Sequence, residues 1–133
     1  MRLEAFKPDD ILLIKPREGF VVPDALNIIE WTRECRGLTA WEGNEAVAAA
    51  GITKWKLNHE AWVFLSDWMV QRPLVFHRLV KLHMPAYVKY MGVRELIARV
   101  APNLKKYEQW PLALGMDFAG YDDDGNLTFR RVY

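Results

Sequence analysis

Cys35, three histidines (His59, His77 and His83) and the run Asp122-Asp123-Asp124-Gly125 are the side chains of this 133-residue chain that suggest a nucleophile or a metal centre. Cys35 is the only cysteine. That excludes an intrachain disulfide and a Cys-rich zinc site. Alone, the thiol reads as a small buried apolar side chain rather than a nucleophile. His77 and His83 are six residues apart, which on a helix turns them to different faces. With His59 they make no ligand set, and surface or capping roles are expected of all three. The acidic run opens like a calcium loop but lacks the alternating ligands and the distal Glu. A hairpin turn is the expectation there, and no metal site is expected anywhere.

Cations are concentrated in one stretch: Arg72, His77, Arg78, Lys81 and Lys89. They read either as a surface for an acidic partner or as an ordinary solvated helix face. Six tryptophans are many for this length. Core filling accounts for most of them, while Trp41, Trp55, Trp62, Trp68 and Trp110 could also line a cleft or an interface.

The whole-chain balance narrows the classes. Hydrophobic residues are 51% and charged residues 26%, with a net charge of +1. This is a globular composition of a size for one domain, residues 1–133, around one core. It gives no electrostatic case for nucleic acid or a membrane surface. No apolar run approaches the ~20 residues of a membrane span. The start, MRLEAFKPDD, is too acidic for a signal peptide. The cysteine count suits a reducing compartment, so a soluble intracellular protein is expected.

Several elements must position these side chains. Residues 2–6 suit a short strand, punctuated by Pro8-Asp9-Asp10. ILLIK, 11–15, cannot be assigned by periodicity. Asp24 is a plausible N-cap for a helix carrying Leu26, Ile29 and Cys35, ending at Arg36-Gly37. LTAWE and EAVAAAGI flank Gly43-Asn44, a two-residue hairpin turn that requires positive φ. AWVFLSDW, 61–68, predicts a strand buried on both faces.

Pro73 to Met91 predicts a long helix. Val75, Leu79, Leu82 and Ala86 recur at i, i+4, i+7 and i+11 as its apolar face. Pro85 should kink or split it. A strand over 93–101 follows, then a helix from Pro102-Asn103 to about Leu114. Met116–Tyr121 and Leu127–Tyr133 read as a closing hairpin. The fold class is therefore α/β of the α+β kind, a mixed and mainly antiparallel sheet flanked by helices.

Three segments in this order resemble the GCN5-related N-acetyltransferase (GNAT) fold, and in particular the small GNAT-like proteins of tailed bacteriophages. AWEGNEAVAAAGI, 40–52, matches the family's antiparallel hairpin. AWVFLSD, 61–67, matches its acetyl-CoA strand. VAPNLKKYEQWPLALGM, 100–116, is similar to its later strand–helix segment, which ends in Trp or Tyr, a few residues, then Leu-Gly-Phe, with Met116 in place of the Phe. The resemblance covers roughly residues 20–133. It includes the acetyltransferase-like and internal virion proteins of podoviruses.

The resemblance implies a donor site for acetyl-CoA. The pantetheine would lie between two splayed strands, and the pyrophosphate on backbone amides where a Gly-containing loop enters the long helix. Phe64, Leu65, Ser66, Gln71 and Arg72 fall at the positions that would hold the cofactor. Asp67 to Pro73 contains no glycine, so the CoA loop is degenerate. The cations of the long helix become candidates for the CoA phosphates. The position of the family's usual general acid, four residues before Gly115, is Pro111. Tyr107, a turn earlier, is the candidate substitute, and Glu60 is the candidate base. Neither role is essential where proximity of amine and thioester dominates.

Two functions follow from the resemblance. One is acetyl-CoA-dependent transfer to an amine of a host or phage protein or of a small molecule. The other is a catalytically degenerate module that binds a protein, as a host-takeover effector blocking a host enzyme or as a virion-associated component. Either places the chain in the host bacterial cytoplasm or the virion.

Overall fold

The computed structural model describes residues 1–15, 34–55, 58–102 and 109–133. Its strands are β1 (Arg2–Ala5), β2 (Cys35–Glu42), β3 (Glu45–Trp55), β4 (Asn58–Leu65), β5 (Glu95–Val100), β6 (Asp117–Tyr121) and β7 (Leu127–Val132). The helices are α1 (Asp10–Leu13), α2 (Asp67–Val70), α3 (Pro73–Met91) and α4 (Gln109–Ala113).

The strands form one sheet in the order β1-β2-β3-β4-β5-β7-β6. Every neighbouring pair is antiparallel except β4 and β5. The mixed, mainly antiparallel sheet expected from the sequence is thus present. The β2–β3 hairpin turns at Gly43-Asn44 with Glu42 opposite Glu45. Gly43 has φ +59, the left-handed conformation that costs a side-chain-bearing residue.

The long helix spans the residues expected of it. Pro73 opens it, where a missing N–H costs nothing, and Gly92 closes it at φ +64. Its buried face is another matter. Phe76 and Val88 are buried, and Leu79, Val80, Met84 and Tyr87 are partly buried against the sheet. Val75, Leu82 and Ala86 point outward, Leu82 with 72% exposure. The helix is apolar nearly all round, so several stripes fit its sequence and the sheet selects one of them. Pro85 does not split the helix. It lies on the exposed side, where the carbonyl it frees can meet water.

Other boundaries also move. The helix expected from Asp24 lies mostly outside the described residues, but its proposed end does not: Cys35, Arg36 and Gly37 belong to β2. Gly37 caps no helix. It faces Gly51 across the β2–β3 ladder. The strand expected at 61–68 starts at Asn58 and stops at Leu65, because Ser66 caps α2 and Trp68 lies inside that helix. It is buried on both faces as expected. Ala61 and Leu65 pack toward α3, Trp62 and Phe64 toward α1.

Two layers therefore cover the sheet. Beneath α3 lies a core of Ile52, Leu96, Ala98, Met116 and Phe129, continuous with Val47, Leu65, Met69 and Phe76. On the opposite face Ile11 and Ile14 of the α1 region pack on Trp62 and Phe64. Asp10 fastens α1 there. Its buried carboxylate accepts from the Thr39 hydroxyl at 2.8 Å and the Lys7 amide at 3.0 Å.

Candidate active site where two strands part

Among the described residues β4 and β5 are the one parallel pair, and their ladder is short. His59 opposes Leu96, Glu60 opposes Ile97 and Ala61 opposes Ala98, and pairing ends there. β4 nevertheless runs on to Leu65 and β5 to Val100. The Ser66 amide donates to the Val47 carbonyl at 3.0 Å. By the alternation of an antiparallel ladder, the backbone groups of Trp62 and Phe64 then face β3, and those of Val63 and Leu65 face the gap toward β5. Such an edge can take an extended ligand as an added strand.

Glu60 lies one residue before the ladder ends. Arg99 Nη1 donates to its Oε2 at 2.6 Å, and Arg99 Nε stands 3.5 Å from Asp122 Oδ2. The Glu60 side chain is 16% exposed. Burial raises its pKa above the ordinary glutamate value, and the Arg99 charge opposes that rise. Asp122 goes the other way. The Asn126 side-chain amide and the Asn126 and Asp124 backbone amides donate to it and hold its pKa low. These bonds build the turn between β6 and β7, which is what Asp122–Gly125 forms.

The segment entering α3 is built differently from an open loop. The Ser66 hydroxyl donates to the Val47 carbonyl at 2.7 Å and accepts from the Met69 amide at 3.4 Å, capping α2. The amides of Met69, Val70, Gln71 and Arg72 all donate to carbonyls within Ser66–Met69. Arg72 donates to the Trp68 carbonyl at 2.7 Å and stacks 3.9 Å above the Trp68 ring. Pro73 has no amide to give. The first amides available at the helix start are therefore those of Leu74 and Val75.

Among the cofactor candidates, then, Leu65 offers backbone to the gap, while the Phe64 side chain packs on Trp62 with ring centroids 5.6 Å apart. Ser66 is buried as a cap, Gln71 is exposed at the end of α2, and Arg72 is held by Trp68. Tyr107 lies outside the described residues. Pro111 is buried, and its carbonyl accepts from the amides of Leu114 and Met116 as α4 ends. Trp110 packs on the α3-side core.

Of the titratable candidates, His59 is in β4 and its pKa is lowered by burial. His77 and His83 lie on α3. No cluster of metal-ligating side chains occurs among the described residues. The Cys35 thiol is pushed up to about 12 by burial, so it is no nucleophile at neutral pH.

Sequence reasoning did not single out Arg99 or Val63, and it read Asp122 only as part of a turn. For Arg99 a signal existed. In ELIARV the apolar residues Leu96, Ala98 and Val100 alternate with Glu95 and Arg99, which places the Arg on the face opposite the core. Asp122 could be matched to Arg99 only through the strand order.

No protein-family model matches the sequence, and no curated protein matches it. Solved structures do match the fold. The GNAT domain of S. lividans PAT superposes with a TM-score of 0.73 at 15% identity, covering 98% of this chain and 89% of that one. A putative GNAT-family acetyltransferase from Desulfovibrio desulfuricans gives 0.72 at 12% identity, covering 98% and 99%. An acetyltransferase from Thermus thermophilus gives 0.68 at 16%, covering 100% and 98%. At these identities the likeness is one of fold: the seven-stranded sheet, its single parallel pair and the covering helices form a GNAT-like architecture.

Proposed function

We propose that the chain is an acetyl-CoA-dependent N-acetyltransferase of the bacteriophage type, acting on an amine of a host or phage protein or of a small molecule. The observation that carries this reading is the end of the β4–β5 ladder at Ala61, beside a carboxylate of raised pKa. The thioester arm lies along Val63 and Leu65, accepting and donating backbone hydrogen bonds as a further strand. Its carbonyl carbon is thereby placed near Glu60. The acceptor amine enters from the sheet face that carries Glu60, Arg99 and Asp122.

The amine nitrogen attacks the thioester carbonyl. The C–N bond forms, the C–S bond breaks, and CoA leaves as a thiolate that takes its proton from solvent. The amine proton passes to the Glu60 carboxylate, directly or through one water. A raised pKa brings that base nearer to the working pH. Most of the acceleration comes from holding amine and thioester together.

Isothermal titration with acetyl-CoA is the test. Binding in the micromolar range, with a mass increase of one acetyl group on an amine acceptor, is expected. Absence of binding at millimolar acetyl-CoA rejects the reading.

A second reading has its own support. The loop that would cradle the pyrophosphate has no glycine, and its amides from Met69 to Arg72 are bonded within the turn. On that ground the chain is a degenerate GNAT-like module that binds a protein in the host bacterial cytoplasm or the virion, either blocking a host enzyme or serving as a virion component. A pull-down from bacterial lysate tests it, and recovery of no specific protein counts against it. The net charge of +1 supports neither nucleic acid nor a membrane surface as a partner in either case.

A further inference from the structure

The middle of the sheet is thinly walled beneath α3. β3 is a central strand, where bulky β-branched residues are the usual filling. Here it reads Ala46-Val47-Ala48-Ala49-Ala50-Gly51. Ala48 and Ala50 face α3, beside Ala61 and Val63 of β4. Val80 and Met84 lie above them, and the space between is an apolar cavity of about 70 Å³. Polar groups are few among the described residues that line it. The Tyr87 hydroxyl is directed to the Gly37 carbonyl at 3.4 Å, and His83 stands at the helix side. A space with so few partners is a poor site for ordered water.

We propose that this cavity receives the acyl chain of the donor, and that the preferred donor is a short-chain acyl thioester larger than acetyl, of the butanoyl class. The inference rests on the acyltransferase reading and changes its donor, with acetyl-CoA as the weaker one. Its first ground is continuity. Ala61 and Val63 line the cavity, and Ala61 is the residue at which β4 parts from β5. A thioester carbonyl seated on that edge therefore has the cavity beside it.

The second ground is size. An apolar cavity of ~150 Å³ accepts a benzene-sized guest. Half that volume suits roughly three or four carbons, whereas an acetyl methyl would leave most of it empty, with the lining short of contacts. The third ground lies at the other end of the donor. The amides of residues 69–72 are already bonded, so the nucleotide end gains little from the backbone there. More of the donor's affinity then comes from its acyl end.

Isothermal titration with free CoA, acetyl-CoA and butanoyl-CoA tests the proposal. Each buried methylene is worth about fourfold in affinity, so butanoyl-CoA, with two more of them, should bind roughly fifteenfold more tightly than acetyl-CoA. Ala50→Leu, which fills the cavity, should bring the butanoyl affinity down to that of acetyl-CoA, with a melting curve confirming that the variant folds. If it does not fold, the comparison on the unaltered protein decides alone. Equal affinities for acetyl-CoA and butanoyl-CoA overturn this inference and leave the acyltransferase reading standing. Binding of none of the three overturns that reading and this inference with it.

Discussion

Glu60 Oε2 and Arg99 Nη1 stand 2.6 Å apart across the parallel strands β4 and β5, on the sheet face opposite α3. The pair closes the ladder at the point where the strands part. Two opposing effects act on the carboxyl: burial raises its pKa, and the guanidinium lowers it. Arg99 is shared with Asp122 on its other side, and the Asp122 charge adds to the rise in the Glu60 pKa.

A pH dependence follows if Glu60 takes the amine proton. The rate should fall as pH drops through a value above the 4.5 of an ordinary glutamate. Arg99→Ala removes the effect that lowers this pKa, so the acid limb should move to higher pH. Glu60→Gln should cut kcat by roughly 10²–10⁴-fold. The sign for stability is the reverse of the usual carboxylate. Folding favours the protonated form, so this group's contribution is full below the unfolded pKa and lost as pH rises through the folded one. Gln copies the neutral form, and the variant should melt no lower than the parent at neutral pH. Rate profiles and melting curves on the same samples check both.

The glycine pair Gly37–Gly51 lets β2, β3 and β4 approach closely. A Cβ on Gly51 would meet the Arg36 carbonyl oxygen at 2.4 Å and Trp62 Cζ2 at 2.8 Å. Backbone cannot yield as a flexible side chain does. Gly51→Ala should therefore destabilise by about 1–3 kcal/mol, the usual cost of overpacking. Urea unfolding should show a lower midpoint at unchanged slope.

Cys35 should behave as a half-buried thiol of low acidity. With its pKa pushed up to about 12, very little of it is thiolate at pH 8. Iodoacetamide should label it very slowly in the native protein and readily in urea. Fast native labelling at pH 8 would contradict the raised pKa.

How much of this was legible depends on what each feature rests on. The Gly43-Asn44 hairpin and the limits of α3 are written in local backbone chemistry: positive φ at a two-residue turn, Pro at a first helical turn, Gly beyond a last one. The face of α3 is not, because apolar residues surround it and only the sheet decides which are buried. Cys35–Gly37 read as a helix end because Gly is the usual left-handed cap; its role as a close-contact strand residue depends on Gly51, fourteen residues later. The parting of β4 from β5 belongs to two segments more than thirty residues apart, and neither one carries it alone. The sequence marks Glu60 by its place beside β4, while its pairing with Arg99 emerges only from the parallel register.

The α1 anchor gives the last prediction. Asp10 is buried at 7% exposure, and Thr39, at 0%, donates to it from the middle of β2. Asp10→Ala leaves the Thr39 hydroxyl and the Lys7 amide without this acceptor. An unsatisfied buried donor costs about 1–3 kcal/mol, so thermal unfolding should show a clear loss. Thr39→Val removes the donor instead but leaves a buried carboxylate with one partner fewer, and should also destabilise. The double variant Asp10→Ala/Thr39→Val removes both partners together. Its loss should be smaller than the sum of the two singles, because the pair acts as a unit. Strict additivity in that cycle would mean that the 2.8 Å bond does not couple α1 to the sheet.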